Sequence, residues 1–256
     1  MSSIDYGLLA AQYSVVRRPD IRIGRAVIEA LARSVVNVGA GTGSYEPSDR
    51  PVVAVEPSAA MIATRRSGTA PAIQGRAESL PFTDGAFDAA MAILTVHHWQ
   101  DQARGLAELC RVARRRVVLT FDPDFSDAFW LVRDYLPESA EIDRTWFRPI
   151  REVVEAIGGA ETRVVPIPHD CTDGFLCAYW RRPEAYLDPR VRAGISTFAR
   201  LDATVVARTL GALERDLDSG AFWDRHADLV ERDAVDLGYR LIVAGTGARC
   251  DGTPPH

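Results

Sequence analysis

The sequence predicts an α/β protein with a mostly parallel sheet and helices on both faces. Three observations carry this. Short, nearly all-apolar runs recur at residues 35–38, 52–55, 86–94 and 117–121. Helical spacing or turn chemistry separates each run from the next. Hydrophobic residues make up 47% of the 256 and charged residues 25%, the balance of a globular chain with a full core. Strands buried on both sides read as continuous apolar runs, and helices between them supply the cover.

The elements follow in order. Asp20 is a candidate N-cap, and Ile21, Ile23, Val27, Ile28 and Leu31 then recur at helical spacing. The first strand, Val35-Val36-Asn37-Val38, stops at Gly39-Ala40-Gly41-Thr42-Gly43. The second, 52–55, stops at Glu56-Pro57, and Ser58 opens a helix through Met61 and Ile62. A third strand is expected at 72–74, and 80–85 has turn chemistry. A buried strand at 86–94, a helix at 101–113 and a strand at 117–121 complete this half, which Asp122-Pro123 ends.

The pattern changes after Pro123. Helical segments are expected from about 125 to 157 with a break at Pro149, then a strand near 162–166. A long helical stretch is expected over about 174–233, and a last strand at 237–244. The tail to His256 is expected to be disordered.

Composition excludes several chemistries. All 30 basic residues are arginine and none is lysine, so no lysine Schiff base, P-loop lysine or lysine general base is available. Arginine stays protonated and is no base. Proton acceptors must come from the five histidines, the carboxylates, tyrosines and cysteines. A net charge of -5 and a pI near 5.6 argue against a broad grip on nucleic acid. Cys110, Cys171, Cys177 and Cys250 show no framework spacing, which favours a reducing, cytoplasmic setting. His169, Cys171 and Cys177 match no zinc spacing. The N-terminus carries Asp5 and no arginine before Arg17, unlike a secretory signal. No apolar run is long enough to span a bilayer.

The glycine loop after the first strand marks a binding site. Ligands of such sheets bind beyond the carboxyl ends of the strands, where the order reverses. Glycines let the backbone approach a ligand closely. Glu56, at the end of the second strand, can accept both ribose hydroxyls of an adenosine. A dinucleotide fingerprint needs a sixth-position glycine, but that position holds Ser44, and Pro47 follows. The first helix after the loop must then be short or irregular, a poor pyrophosphate cradle. A nucleoside without phosphates suits the loop better.

These segments together resemble the class I S-adenosylmethionine-dependent methyltransferases, in the ubiquinone/menaquinone-biosynthesis and trans-aconitate methyltransferase branch. Asn37 to Gly43 resembles the first motif. Val55-Glu56-Pro57-Ser58 with Met61 resembles the second, which carries the ribose-binding acid. Residues 75–82 followed by Phe87-Asp88 resemble the adenine-side segment, and 106–112 with 116–121 the following helix and strand. The resemblance implies a Rossmann-like seven-stranded sheet with S-adenosyl-L-methionine as cofactor. It implies cofactor contacts from Tyr13, Arg18, Asn37, Gly39, Ala40, Gly41, Gly43, Glu56, Pro57, Met61, Ala77, Glu78 and Leu94. Three departures stand out. Asn37 replaces the usual acid, Arg76 replaces an adenine-facing aspartate, and Arg114-Arg115-Arg116 replaces a Gly-Gly pair.

The resemblance also implies the organisation: a cofactor-covering segment at 1–19, a core at 20–172 and 236–245, a helical lid at 173–235 and a tail at 246–256. The lid would exclude water from the acceptor.

Methyl transfer needs alignment and, for some acceptors, a base. His97 and His98, after the fourth strand, are the candidate bases. Because they are adjacent, one is expected to face the cofactor and the other to pack or cap. Asp122, Asp124 and Asp127 follow the fifth strand, with Asp124 or Ser126 as a helix cap, and no metal is expected. The expected function is methylation of an O, N or C atom of a small molecule. The expected protein is a monomer or homodimer without a nucleic-acid or membrane partner. The alternatives are a non-methylating cyclase using the same cofactor, an NAD(P)-dependent oxidoreductase, or a non-enzymatic binding role.

Overall fold

The computed structural model describes residues 17–159 and 161–245. The expected cofactor-covering segment up to residue 16 and the tail from 246 lie outside the described residues. The chain divides into two compact units. The sheet unit holds Ile21–Asp122, Trp146–Val165 and the described chain from Tyr239. The helical unit holds residues 17–20, Pro123–Thr145 and Pro166–Gly238. The expected core ran unbroken to residue 172, whereas these units interleave along the chain.

The sheet unit is built on seven strands: β1 (Val35–Val38), β2 (Val52–Glu56), β3 (Ala72–Gln74), β4 (Phe87–Ile93), β5 (Ala113–Phe121), β6 (Glu161–Val164) and β9 (Tyr239–Ala244). Their order is β3-β2-β1-β4-β5-β9-β6. The first five are parallel to one another. β9 runs antiparallel between β5 and β6. The expected mostly parallel, seven-stranded Rossmann-like sheet is therefore present. β1 lies between β2 and β4, so the order reverses there.

Helices cover both faces. Adjacent strand residues point to opposite sides, and β5 shows it. The Arg115 Nε donates to the Ala30 carbonyl, which ends α1 (Ile21–Ala30). The Arg116 Nη2 donates to the Ile157 carbonyl at 2.6 Å, just past α5 (Ile150–Ala156). On the Arg116 side, Val36, Val38, Ala90, Ala92, Val118 and Ile242 pack with Leu106 and Leu109 of α3 (Gln102–Val112) and Val153 of α5. Fully burying one such aliphatic side chain stabilises by about 1.5–3 kcal/mol. β5 was expected to begin at 117, yet it begins at Ala113. Arg114, Arg115 and Arg116 are strand residues; Arg114 is exposed, while the Arg115 and Arg116 guanidinium groups reach helix-end carbonyls with their stems along the layer.

Caps fix the helix starts as the sequence implies. Ser58 accepts from the Met61 N–H at the start of α2 (Ala59–Ala63), and Asp101 accepts from the Arg104 N–H at the start of α3. Gly105 on α3 lies under Trp99, where a Cβ would come within 2.3 Å of the indole. Ser34 and Asp88 clamp the starts of β1 and β4, with the Ser34 hydroxyl donating to Asp88 Oδ2 at 2.8 Å.

The helical unit is more broken than its apolar periodicity suggests. The expected stretch over 174–233 is divided into 3-10 turns, short helices α6 (Pro189–Ala193) and α8 (Ala221–Arg225), and one long helix, α7 (Ala203–Ser219). Pro183 and Pro189 restart the chain, and Gly220, at φ 81°, ends α7 in the left-handed region. A two-stranded pairing of β7 (Ile167–Pro168) with β8 (Ala234–Val235) closes the unit. Its core stacks Trp130 on Phe222, with ring centroids 4.8 Å apart, and the Trp130 indole donates to the Trp180 carbonyl.

Cys171 and Cys177 are buried free thiols, and burial pushes the Cys171 thiol up to about 12.

Ser126 does not cap a helix with its side chain. Its hydroxyl donates to Asp143 Oδ2 at 2.8 Å, and both side chains are buried. Asp143 lies on α4 (Glu138–Trp146), and burial raises its pKa from 3.8 to about 6. A carboxyl whose pKa is higher folded than unfolded contributes fully below its unfolded value and loses that contribution as pH rises through 6. The loss is about 3 kcal/mol by neutral pH. Asp143→Asn is therefore expected to gain about that much stability over the parent between pH 4 and pH 7, read by chemical unfolding at both values. A constant difference across this range would remove the buried-carboxyl assignment.

Candidate active site

The carboxyl ends of β1, β2 and β4 bring the glycine loop, Glu56 and the histidine pair onto one edge of the sheet unit. No helix follows the loop. Residues 39–51 are turns and bends, so the short or irregular helix expected from Ser44 and Pro47 is absent altogether. Gly39, Gly41 and Gly43 have φ of 69°, 51° and 93°. At Gly39 a Cβ would lie 2.0 Å from Thr95 Oγ1, so no side chain fits there. The Gly39 and Ala40 N–H groups both donate to the Val55 carbonyl, at 2.8 and 3.1 Å. This ties the loop to the end of β2.

Glu56 is buried at the edge of the loop. Its Oε2 accepts from the Gly41 N–H at 2.8 Å, and its Oε1 from the Ser58 N–H at 2.9 Å. Burial pushes its carboxyl above the ordinary value, and the Ser58 and Gly41 N–H groups and the Arg65 charge pull it back. Each oxygen keeps a lone pair, since a carboxylate offers about four acceptor sites. The group is thus fixed in orientation and can still accept two hydroxyl protons. Such an arrangement suits a ribose. A phosphate would meet a negative carboxylate with no helix N-terminus to offset it.

The other expected cofactor residues divide into groups. Met61 is buried, and its methyl lies 4.0 Å from the Cβ position of Gly41. Ala77 is buried against Val55 and Leu80 in the core cluster. Asn37 is buried and donates to Glu46 Oε1 at 3.0 Å. Pro57 is exposed, and its carbonyl accepts from the Gln74 side chain. Glu78 Oε1 accepts from the Gln100 and Asp101 N–H groups at 2.8 and 3.2 Å, which fixes the loop ahead of α3. Arg18 is exposed and belongs to the helical unit, where its carbonyl accepts from the Thr172 hydroxyl. Arg17 pairs with the buried Asp173. Tyr13 lies outside the described residues.

Leu94, after β4, has φ 51°, a strained value for leucine. The chain then turns through a 3-10 helix at Val96–His98. The alternation of an extended strand ends there, and the two rings come together, with centroids 4.0 Å apart. Both lie edge-on to Trp146, at 4.7 and 5.0 Å. His97 also stacks on Phe147 at 4.3 Å, and Phe121 and Tyr239 extend the cluster. His97 is buried and His98 half-buried in the same aromatic group. Sequence reasoning missed Trp146, Phe147 and Tyr239. Nothing local in the sequence brings them to the histidines; only the β5–β9 register and α4 do.

Sequence reasoning also missed Glu46. Its two oxygens accept from Arg65 Nη2 at 2.7 Å, and both side chains are buried. A carboxylate directly after a glycine loop was the available signal. Among the described residues, no group of three or more His, Cys, Asp or Glu side chains is placed to hold a metal ion. No described helix is long and apolar enough to cross a membrane.

Comparisons with known proteins agree with this geometry. A methyltransferase domain model matches residues 36–121. A crystal structure from Anabaena variabilis, assigned as a methyltransferase of an antibiotic biosynthesis pathway, is 35% identical. It covers 90% of this chain and 98% of its own, with a TM-score of 0.82. An uncharacterised methyltransferase of Mycobacterium tuberculosis is 35% identical over 94 residues, 34% of this chain and 38% of its own length. The demethylmenaquinone methyltransferase of Mycolicibacterium gilvum is 35% identical over 124 residues, 44% of this chain and 54% of its own. The matched region thus spans about half or less of these two curated relatives.

Gly39→Ala tests the close approach. The added methyl would displace Thr95, and φ 69° is itself unfavourable for alanine. The expected loss is about 3 kcal/mol in urea unfolding. Adding Thr95→Gly should recover part of that loss, and no recovery would mean that the contact is not the cause.

Proposed function

This chain belongs to the class I S-adenosylmethionine-dependent methyltransferases, and from that premise we propose that it methylates an O, N or C atom of a small molecule, a secondary metabolite being the favoured class. One observation carries the cofactor assignment: Glu56, fixed by the Gly41 and Ser58 N–H groups, lies beneath a glycine loop that no helix follows. The antibiotic-pathway assignment of the Anabaena protein supports a small acceptor.

When bound, the cofactor supplies an electrophilic methyl carbon on a sulfonium whose departure needs no acid. The residues do the rest. Glu56 accepts the two ribose hydroxyls with its free lone pairs. Gly39, Ala40, Gly41 and Gly43 let the backbone approach, and Asn37 orients the loop from below. Met61, Pro57 and Ala77 supply apolar surface toward the adenosine, with Glu78 and Leu94 at the edge. Tyr13 and Arg18 stay in the proposal as contacts to the cofactor's amino-acid end. Alignment can contribute about 7–11 kcal/mol. Where the acceptor carries a proton, a ring nitrogen of His97 or His98 takes it. The flat rings of Trp146 and Phe147 beside them favour an acceptor with apolar, planar surface.

Calorimetry tests the cofactor reading. S-adenosylhomocysteine is expected to bind the full chain and NAD is not; NAD binding without S-adenosylhomocysteine binding would overturn it. Glu56→Gln should weaken S-adenosylhomocysteine by about 10–100-fold, the worth of hydrogen bonds to a charged acceptor. Base catalysis has its own test. With labelled methyl donor and a panel of hydroxyl, amine and carbon-acid acceptors, His97→Ala or His98→Ala should lower turnover about 10²-fold without changing S-adenosylhomocysteine affinity. Turnover intact in both variants would refute a histidine base.

A further inference from the structure

Asn37 stands where the resemblance leads one to expect an acid, and the structure places a carboxylate beside it. Glu46 Oε1 accepts from Asn37 Nδ2 at 3.0 Å, and Glu46 Oε2 from the Ala70 N–H at 3.0 Å. Both oxygens accept from Arg65 Nη2 at 2.7 Å. Arg65 is almost fully buried, with a side chain 6% exposed. Its Nη1 donates to the Gly41 carbonyl at 3.1 Å, and Nη2 also reaches the Ala70 carbonyl.

The link to Gly41 matters most. The Gly41 N–H donates to Glu56, and the Gly41 carbonyl accepts from Arg65. These two groups belong to the peptide planes on either side of one Cα, which has φ 51°. A glycine joins two rigid planes through two soft dihedrals and visits many combinations at low cost. Holding both planes removes that freedom. A continuous chain of hydrogen bonds therefore runs from Asn37 on β1 through Glu46, Arg65 and Gly41 to Glu56 on β2.

We propose that Glu46 and Arg65 form a positioning couple that fixes the Gly41 peptides, so that the Gly41 N–H stays on Glu56 and presents its carboxylate to the cofactor's ribose. The proposal rests on the cofactor reading above. Neither residue touches the ribose in this account; both act through Gly41. Guanidinium geometry is needed, because one planar group must grip a carboxylate and a carbonyl at once. A burial role alone would account for the ion pair but not for the bond to Gly41. Among the described residues, Arg65 is also the charged side chain whose field acts on the Glu56 carboxyl, and it favours the ionised form.

The test uses the full chain without ligand and then with S-adenosylhomocysteine. The Gly41 amide shift in nitrogen–proton NMR, followed against pH, reports ionisation of Glu56 through their hydrogen bond. In Arg65→Met the midpoint should rise by about one pH unit, the effect of removing a nearby opposite charge. The dissociation constant for S-adenosylhomocysteine should weaken about tenfold. Arg65→Lys keeps the charge but cannot hold Glu46 and the Gly41 carbonyl together. Its midpoint should move less than that of Arg65→Met, and its affinity should fall between that variant and the parent.

A purely structural arginine would lower unfolding stability and leave the Gly41 midpoint in place. An unmoved midpoint with affinity within twofold of the parent, in folded Arg65→Met, overturns the proposal. If that variant does not fold, the same result in Arg65→Lys overturns it. If the parent itself binds no S-adenosylhomocysteine, the cofactor reading falls, and the Gly41 midpoints alone still decide whether the couple positions Glu56.

Discussion

Everything in the site depends on the lack of room between Gly39 and Thr95. β1 sits between β2 and β4, and the chain leaving β1 must pass directly over the chain leaving β4. Only a residue without a side chain can do so. Once Gly39 is pressed there, its amide and that of Ala40 fall on the Val55 carbonyl. That brings Gly41 to Glu56 at the end of the neighbouring strand. The Thr95 side of the same contact starts the turn that carries His97 and His98. One steric constraint thus places Glu56 and the histidine pair on the same edge of the sheet.

The arginines give this sheet unit a particular style of support. Arg115 and Arg116 hold the carbonyls at the ends of two helices on opposite faces. Arg111 does similar work for the Leu80 and Phe82 carbonyls while pairing with Glu108 and Asp84. Arg111 and Arg116 each use a planar fork of donors to bind two or more acceptors in fixed directions. An ammonium group has the charge but not the fork. The absence of lysine first reads as a limit on chemistry. In the fold it appears as backbone carbonyls joined across distances in sequence by guanidinium groups.

The parts of the fold set by local chemistry were legible in the sequence. Apolar runs gave the strands, Ser58 and Asp101 gave helix starts, and Ser44 with Pro47 pointed to a short or irregular helix where the structure has turns and bends instead. The parts set by distant contacts were not. The start of β5 at Ala113 depends on arginine stems satisfied by carbonyls tens of residues away. The broken helical stretch depends on Pro183, Pro189 and Gly220 overriding apolar periodicity. At the site, Glu56 and the glycine loop were visible because their spacing is local. The role of Glu46 was not, since its partner Arg65 lies beyond both β2 and α2 in sequence. The histidine pair was visible as residues, but the meeting of its two rings was not, because the left-handed Leu94 ends strand alternation just before it.

The place of β9 has a consequence for how the chain comes to be made. It is the last strand among the described residues, yet it lies inside the sheet between β5 and β6. Until residues 239–244 leave the ribosome, β5 has an open edge and β6 has nothing to pair with. The earlier strands can assemble in order of synthesis, but the nascent protein carries an apolar, unpaired edge for the time taken to translate more than a hundred residues after β5. Such edges invite pairing with other chains.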